Sequence, residues 1–440
     1  MSEPLGVAVV GCGTVGTGVV KLLTEQTARL QQRAGRPLVL RRVVVRDPNK
    51  PRGVELPAGA LGTDLTTALR DPAVHVVMEL IGGTTAAKRV VLDALAAGKH
   101  VITANKALLA DAGAEVFAAA REAGRTVCFE AAVAGGVPII RALGESLAAN
   151  QVTSIQAILN GTSNFILTSM ADDGRTYAQA LAEAQRLGFA EADPTLDVDG
   201  SDAAHKLAIL AQIAFGVSAR PPEIERQGID RIEAMDIRFA GELGYVIKLL
   251  AEAWASPTAT PGKSTVALHV APVMVRKTDM LAQVRGAYNA VQVIGDVVGE
   301  TLYQGPGAGM MPTASSVVAD LIDLAVGRAQ KTFAAARLWS GADRGFAVEP
   351  SEKVRSRFYL RLLVRDQPGV LADVCRALAD QGISISSVIQ HEAREDHPEQ
   401  LVPLVIMTHY AETGRFRAAV KVIDRFPALG ERAVAYPVDD

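Results

Sequence analysis

Short apolar runs alternate with amphipathic stretches through the first third of the chain. Runs at residues 7–10, 38–45, 74–81 and 100–103 fit buried strands, and the stretches that follow, through Leu23 and over 86–97, fit helices. Strand and helix in strict alternation predict a parallel, doubly wound α/β sheet over 1–135. From Gln151 the pattern changes. Strand candidates at 152–159, 265–270 and 292–298 are interleaved with helices, which predicts a mixed α+β domain over 136–306. A Gly-rich stretch, Gly305-Pro-Gly307-Ala-Gly309, then starts a helix that runs from 307 to 335 and completes the first domain. Residues 341–356 are polar, contain Gly345 and Pro350, and fit a linker. Beyond it, strands at 358–364, 383–389 and 404–408 and helices at 369–379 and 414–426 fit a small ferredoxin-like βαββαβ module over 357–440.

Composition narrows the function. In 440 residues, 45 Lys+Arg stand against 48 Asp+Glu, so the chain lacks the basic footprint of a nucleic-acid or anionic-membrane binder, and a small-molecule partner is expected. The N-terminus enters a strand pattern directly and no run of about 18 apolar residues follows, which predicts a soluble, cytoplasmic protein. The 3 cysteines are far apart and the 7 histidines show no ligand spacing, so neither a disulfide framework nor a transition-metal site is expected.

Gly11-Cys-Gly13-Thr14-Val15-Gly16 follows the first strand and opens a helix. Glycines there allow a tight turn and close approach of a pyrophosphate, whose charge meets backbone N–H groups at the helix N-terminus; without a ligand the same residues are only a Gly-rich turn. After the second strand, Arg46 precedes Asp47, with Lys50 and Arg52 close behind. A guanidinium there suits a ribose 2'-phosphate, whereas Asp47 suits a free 2'-hydroxyl, and a solvated basic turn is the third reading. Lys106 sits at the C-terminal end of a strand, where doubly wound sheets bind ligands.

The richest segment runs from Glu191 through Asp197 and Asp202 to Lys206. Asp202 and Lys206 are four residues apart and share a helix stripe with Ile209, Leu210 and Ile213, while His205 and Gln212 fall opposite. An inward-facing pair differs from an ordinary surface ion pair, because burying a lone ammonium is costly. A partly desolvated lysine flanked by carboxylates could protonate a developing alkoxide while the carboxylates grip a substrate ammonium group.

These segments together, with Glu79-Leu-Ile-Gly-Gly83, Gly98-Lys-His-Val-Ile-Thr-Ala-Asn-Lys106 and Leu159-Asn-Gly-Thr-Ser-Asn-Phe165, resemble homoserine dehydrogenases that carry a C-terminal ACT domain. The resemblance implies a Rossmann-like cofactor domain, a substrate-binding and dimerisation domain, and a regulatory tail. It implies reversible reduction of L-aspartate 4-semialdehyde to L-homoserine with NADP or NAD, NADP being preferred on the strength of Arg46. Lys206 resembles the family's proton-donating lysine and Lys106 a second lysine beside cofactor and substrate. Glu191, Asp202, Thr162 and, less closely, Asp197 match substrate positions. Gly83, Thr84 and Gly309 join the Gly turn as cofactor positions. Glu130, Val133, Gly135 and Val137 match a loop that holds a monovalent cation, Na+ or K+; from the residues alone, that loop is a turn after a buried strand. The tail motif Arg365-Asp-Gln-Pro-Gly369 implies an amino-acid effector, L-threonine, and a homodimer or homotetramer; a linker before it implies a tail that can be removed without loss of activity. A sensor that has lost catalysis is the alternative, and an aspartate-semialdehyde dehydrogenase would need a well-placed nucleophilic cysteine that the chain lacks.

Overall fold

The protein is described by a computed structural model that covers residues 3–256, 264–340, 346–390 and 401–439. Six strands, β1 (Leu5–Val10), β2 (Leu38–Val44), β3 (Leu61–Gly62), β4 (Val76–Glu79), β5 (His100–Thr103) and β6 (Val127–Cys128), form a sheet in the order β3-β2-β1-β4-β5-β6. Every pairing is parallel. The strands are buried on both faces by helices, which explains their unbroken apolar runs. The strand order turns outward from β1 in both directions, so the crevice at the C-terminal ends of β1 and β4 is the switch point at which such sheets bind ligands. Three segments meet there. Gly11 adopts φ +95° and packs against the Leu80 carbonyl, where a Cβ would stand only 2.7 Å away, and Gly18 lets the Thr14–Glu25 helix lie against Met310 of the Met310–Val326 helix.

The remaining strands form one continuous mixed sheet. They are β7 (Val152–Ile158), β8 (Glu225–Arg226), β9 (Tyr245–Ser256), β10 (Ser264–Arg276), β11 (Tyr288–Gly295), β12 (Gly299–Pro306), β13 (Phe346–Val348), β14 (Arg355–Arg365), β15 (Ile385–Gln390), β16 (Leu401–Thr408), β17 (Ala411–Glu412) and β18 (Val434–Asp439). The main path is β12-β11-β7-β9-β10-β18-β14-β16-β15. The hydrophobic pattern does not predict β9 or β12. Lys248 interrupts the apolar run of β9, and the strand expected over 292–298 stops at Gly295, where Asp296–Val298 turns the chain into β12.

The stretch before the C-terminal module is not a free linker. Residues 341–345 lie outside the described residues, but β13 pairs with β10 and β18 pairs with β10 at Met274↔Val438. The C-terminal module therefore extends the sheet of the second domain, and Tyr359, Val405, Met407 and Tyr436 belong to the same apolar core as the first two domains. Arg361 and Asp236 reinforce that joint. Arg361 has no exposed side-chain surface, and its Nε donates to Asp236 Oδ1 at 2.7 Å, beside a 3.2 Å hydrogen bond from the Tyr359 hydroxyl. Among the described residues no single helix is long and apolar enough to cross a membrane.

Candidate active site

Two lysines from different domains converge on one carboxylate. Lys106 begins the Lys106–Glu122 helix directly after β5, and Lys206 lies in the Ser201–Phe215 helix of the second domain. Lys106 Nζ is 2.8 Å from Asp202 Oδ1, and Lys206 Nζ is 2.7 Å from Asp202 Oδ2. The i,i+4 geometry read from sequence is thus real, and both members of the pair are buried. Gln212, expected on the exposed face, is buried too; it bonds Ser218, because this helix is covered on nearly all sides.

Asn160 locks the acidic side of the site. It caps the Gly161–Asp173 helix through Ser163 N, and its Nδ2 donates to Asp197 Oδ1 at 2.8 Å and Asp202 Oδ2 at 2.9 Å. The sequence offers only a cap signal for this role, since Asn before a helix is common. Lys206 Nζ also donates to the Leu159 carbonyl at 2.5 Å. Thr162 is buried and its hydroxyl donates to Phe189 O, beside Asp197. Glu191 stays exposed on the Gly188–Asp193 loop, and its carboxylate reaches Lys106 only through its field.

The electrostatics divide the lysines. Burial lowers the Lys206 pKa despite Asp202. At Lys106 burial works the same way, but Asp202, Asp197 and Glu191 outweigh it and the pKa is raised. Burial alone would raise the Asp202 carboxyl; the two ammonium groups instead hold it far below the usual carboxylate range. Asp197 lacks such a partner, and burial raises it. The lowered lysine is thus the buried Lys206, while Lys106, whose side chain is 41 % exposed, lies at the mouth with its charge reinforced.

The surrounding glycine turns fit a dinucleotide. The Thr14–Glu25 helix starts at Gly13 with no side-chain cap and no acidic residue in its first turn, so the amides of Thr14, Val15 and Gly16 are left for an anion. Gly16 has no room for a Cβ, which would stand 2.1 Å from the Gly11 carbonyl. Gly309 likewise opens its helix uncapped. Buried Glu79, a residue that the sequence marks only within a motif, shapes the Gly83–Thr84 loop: it accepts from Ile81 N and Gly82 N and, at 2.6 Å, from the Thr103 hydroxyl. Asn105 donates to Gly83 O, which ties that loop to Lys106. Arg46 is exposed beyond β2, and Arg52 is spent on the carbonyls of Asp47, Pro48 and Lys50.

The Glu130–Val137 turn packs beside this crevice, with Gly135 against Gly307. Its oxygen atoms are partly engaged: Glu130 accepts from Ile140 N and Arg141 N, Gly135 O from the Ser316 hydroxyl and Val137 O from Ile139 N. Burial raises the Glu130 carboxyl to about 7.

A dinucleotide crevice facing a buried lysine–carboxylate cluster defines an NAD(P)-dependent oxidoreductase. The profile described as homoserine dehydrogenase, NAD binding domain, matches residues 11–130; that described as homoserine dehydrogenase matches 138–322, and that of the ACT domain matches 358–426. The chain is 43% identical to the homoserine dehydrogenase of Pseudomonas aeruginosa over 99% of each chain. Its fold is similar to that of a homoserine dehydrogenase from Thiobacillus denitrificans, with TM-score 0.90 and 42% identity, covering 100% of this chain and 99% of the other. A hyperthermophilic archaeal homoserine dehydrogenase in complex with NADPH matches at TM-score 0.60 and 26% identity, covering 73% of this chain and 97% of its own. The chain belongs to the homoserine dehydrogenase family.

Proposed function

We propose that the protein reduces L-aspartate 4-semialdehyde to L-homoserine, reversibly, with Lys206 as the proton donor. The observation that carries this reading is Asp202 held between Lys106 and Lys206. The amides of Thr14, Val15 and Gly16, with the Gly83–Thr84 loop and Gly309, hold the dinucleotide, which when bound supplies the hydride. Negative charge then develops on the carbonyl oxygen. Lys206, buried and lowered in pKa, stabilises that charge and transfers its proton, while Asp202 keeps the ammonium oriented. Glu191, Asp197 and Thr162 bind the substrate's amino end, and Lys106 faces its polar groups from the cofactor side. A sensor without catalysis has no use for two lysines on one buried carboxylate.

Three finer assignments belong to this reading. NADP(H) is preferred, because Arg46 is exposed beyond the end of β2 and makes no ion pair among the described residues. Na+ or K+ binds Glu130, Val133, Gly135 and Val137, a set of oxygen donors suited to a hard cation. L-Threonine binds the C-terminal module in a cavity of about 360 Å³ lined by Val364, Asp366, Gly369 and Gln390 and lowers activity; the protein acts as a homodimer or homotetramer.

The test is a steady-state assay with both cofactors, with and without threonine, in Na+, K+ and cation-free buffer. Lys206→Ala should lose about 10²-fold or more in kcat while cofactor affinity, read by fluorescence titration, is kept. Near-normal turnover would place the chemistry on another group. Asp366→Ala should abolish threonine inhibition without changing basal turnover, and unchanged inhibition would move the effector elsewhere.

A further inference from the structure

Behind the Leu159 carbonyl that receives Lys206 lies a second donor. Asn289, at the start of β11, is 1% exposed, and its Nδ2 donates to Leu159 O at 3.0 Å. One carbonyl oxygen is therefore shared between an ammonium at 2.5 Å and an amide N–H.

The rest of the Asn289 side chain is tightly placed. Its amide lies flat against Gly307, where a Cβ would stand 2.1 Å from Cγ, 2.2 Å from Oδ1 and 2.3 Å from Nδ2. On the other side, a Cβ on Gly161 would meet Oδ1 at 3.4 Å. Asn289 thus fills the joint between the first turn of the Gly161–Asp173 helix and the Gly307–Gly309 turn on the cofactor side. Its Oδ1 is buried and accepts no hydrogen bond from the described residues. An orphaned buried amide oxygen is unfavourable, and an apolar side chain of the same shape would avoid it. Among the described residues the one hydrogen bond that its side chain makes is the one to Leu159 O.

We propose that Asn289 is a positioning residue that tunes Lys206 through the shared Leu159 carbonyl, an inference that rests on Lys206 being the proton donor. An acceptor already engaged by one N–H holds a second donor less strongly, and the positive end of the Asn289 amide dipole faces the same oxygen as the ammonium. Both effects weaken the grip on charged Lys206 and favour its release of a proton. Without Asn289, Leu159 O serves the ammonium alone, so the charged lysine is stabilised and becomes a weaker acid. Homoserine oxidation, in which neutral Lys206 must accept the proton, is the direction that reads this most directly.

The experiment is the pH profile of kcat for homoserine oxidation by the full chain, for Asn289→Leu and for Asn289→Asp. Leucine removes the donor and the orphaned oxygen together; aspartate keeps the shape, cannot donate when ionised and adds a negative charge near Lys206. In both variants the ascending limb should move to higher pH by about half a unit or more, roughly a threefold loss of rate on the limb. Thermal stability of Asn289→Leu should be kept or raised, with cofactor affinity unchanged and KM for homoserine within about twofold, as expected when a transition-state group and not ground-state binding is affected. In a Lys206→Ala background the Asn289→Leu substitution should change nothing further. An unmoved limb in both variants overturns the proposal, as does an equal loss of rate in the Lys206→Ala background. A limb that survives Lys206→Ala in otherwise native protein sinks the assignment of Lys206 itself, which is a separate result.

Discussion

Asp202 and Asp236 are both buried carboxylates that meet a cation from another part of the chain, Lys106 and Arg361, yet their surroundings differ in kind. Asp202 is bracketed by two lysines, each a titratable point charge with donors to spare, and one of them opens to solvent at the mouth of the site. Asp236 meets Arg361, whose planar guanidinium spreads over Asp236, Glu233 and Glu431 with no exposed side-chain surface. Arginine stays charged at every working pH, so that cluster cannot trade protons. It is a bolt between the second domain and the C-terminal module, whereas the Asp202 cluster, on the function proposed above, is a proton device. Desolvation alone does not make a site; a titratable partner with an uncommitted donor does.

The comparison breaks most visibly at the bolt. Asp236→Ala leaves Arg361 buried without its principal partner and should cost about 3–5 kcal/mol of stability, measured by denaturant unfolding, while turnover of the remaining folded protein stays close to native. Removal of residues 351–440 strips β18 from β10 and leaves Asp236 without its cation, so the truncated chain should be less stable still, not a free-standing active enzyme. A truncated chain as stable as the full protein would show that the joint is dispensable. At the proton device the loss should appear in rate instead. Asp202→Asn keeps the shape but removes the charge, and kcat should fall about 10²-fold. Since Asp202 is the main force raising the Lys206 pKa against burial, the ascending limb for homoserine oxidation should move to lower pH. A limb that moves upward would mean that Asp202 does not govern that lysine.

Lys248 sharpens the contrast because it is a buried charge with no carboxylate in contact among the described residues; Asp172 acts on it only from a distance. In β9 it donates to Val284 O at 2.5 Å and to Asn164 Oδ1 at 3.1 Å, and burial lowers its pKa to about 8. Between about pH 8 and the unperturbed lysine value near 10.4, the unfolded chain holds a proton there that the folded chain has released. Stability should therefore rise with pH across that window. Lys248→Met should remove that rise and leave stability at pH 7 equal or higher by about 1–2 kcal/mol, since a lone buried charge is disfavoured there. A pH dependence unchanged by the substitution would assign the slope to other groups.

Local geometry explains what could be read in advance. Asp202 and Lys206 are one helical turn apart, so their pairing follows from the period of the helix, and the Gly11–Gly16 turn follows from its place after β1. The doubly wound domain was legible for the same reason, each strand and helix being a separate local pattern. The bond from Lys106 to Asp202 spans two domains and carries no local signal; the strand end before Lys106 points to the ligand crevice, but not to Asp202 as its partner. Asn160, Asn289 and Glu79 matter because of what folding brings to them, and a buried amide or carboxylate reads in sequence as an ordinary surface residue. The joint between the C-terminal module and the second domain is illegible for a related reason: Gly345 and Pro350 announce a break in local structure, but the pairing of β13 and β18 with β10 is a tertiary event.

Arg46 marks the opposite end of the scale, an exposed charge that neither bolts the fold nor trades a proton. Exposed charges contribute little to stability, so Arg46→Ala should leave thermal unfolding within about 0.5 kcal/mol of native. Its whole effect should fall on ligand choice. The guanidinium stands beyond β2, next to the strand end that receives Gly11 N on the Val44 carbonyl, and a 2'-phosphate there would gain a charge-assisted contact that a 2'-hydroxyl cannot return. Loss of that contact should raise KM for NADPH about tenfold, the scale of 1.4 kcal/mol, and leave KM for NADH almost unchanged. The discrimination should weaken with added salt in the native protein, because an exposed pair is screened. Equal changes for both cofactors would make Arg46 a solvated turn residue, and Asp47, which now bonds Asn49 N, would become the residue to test for the ribose.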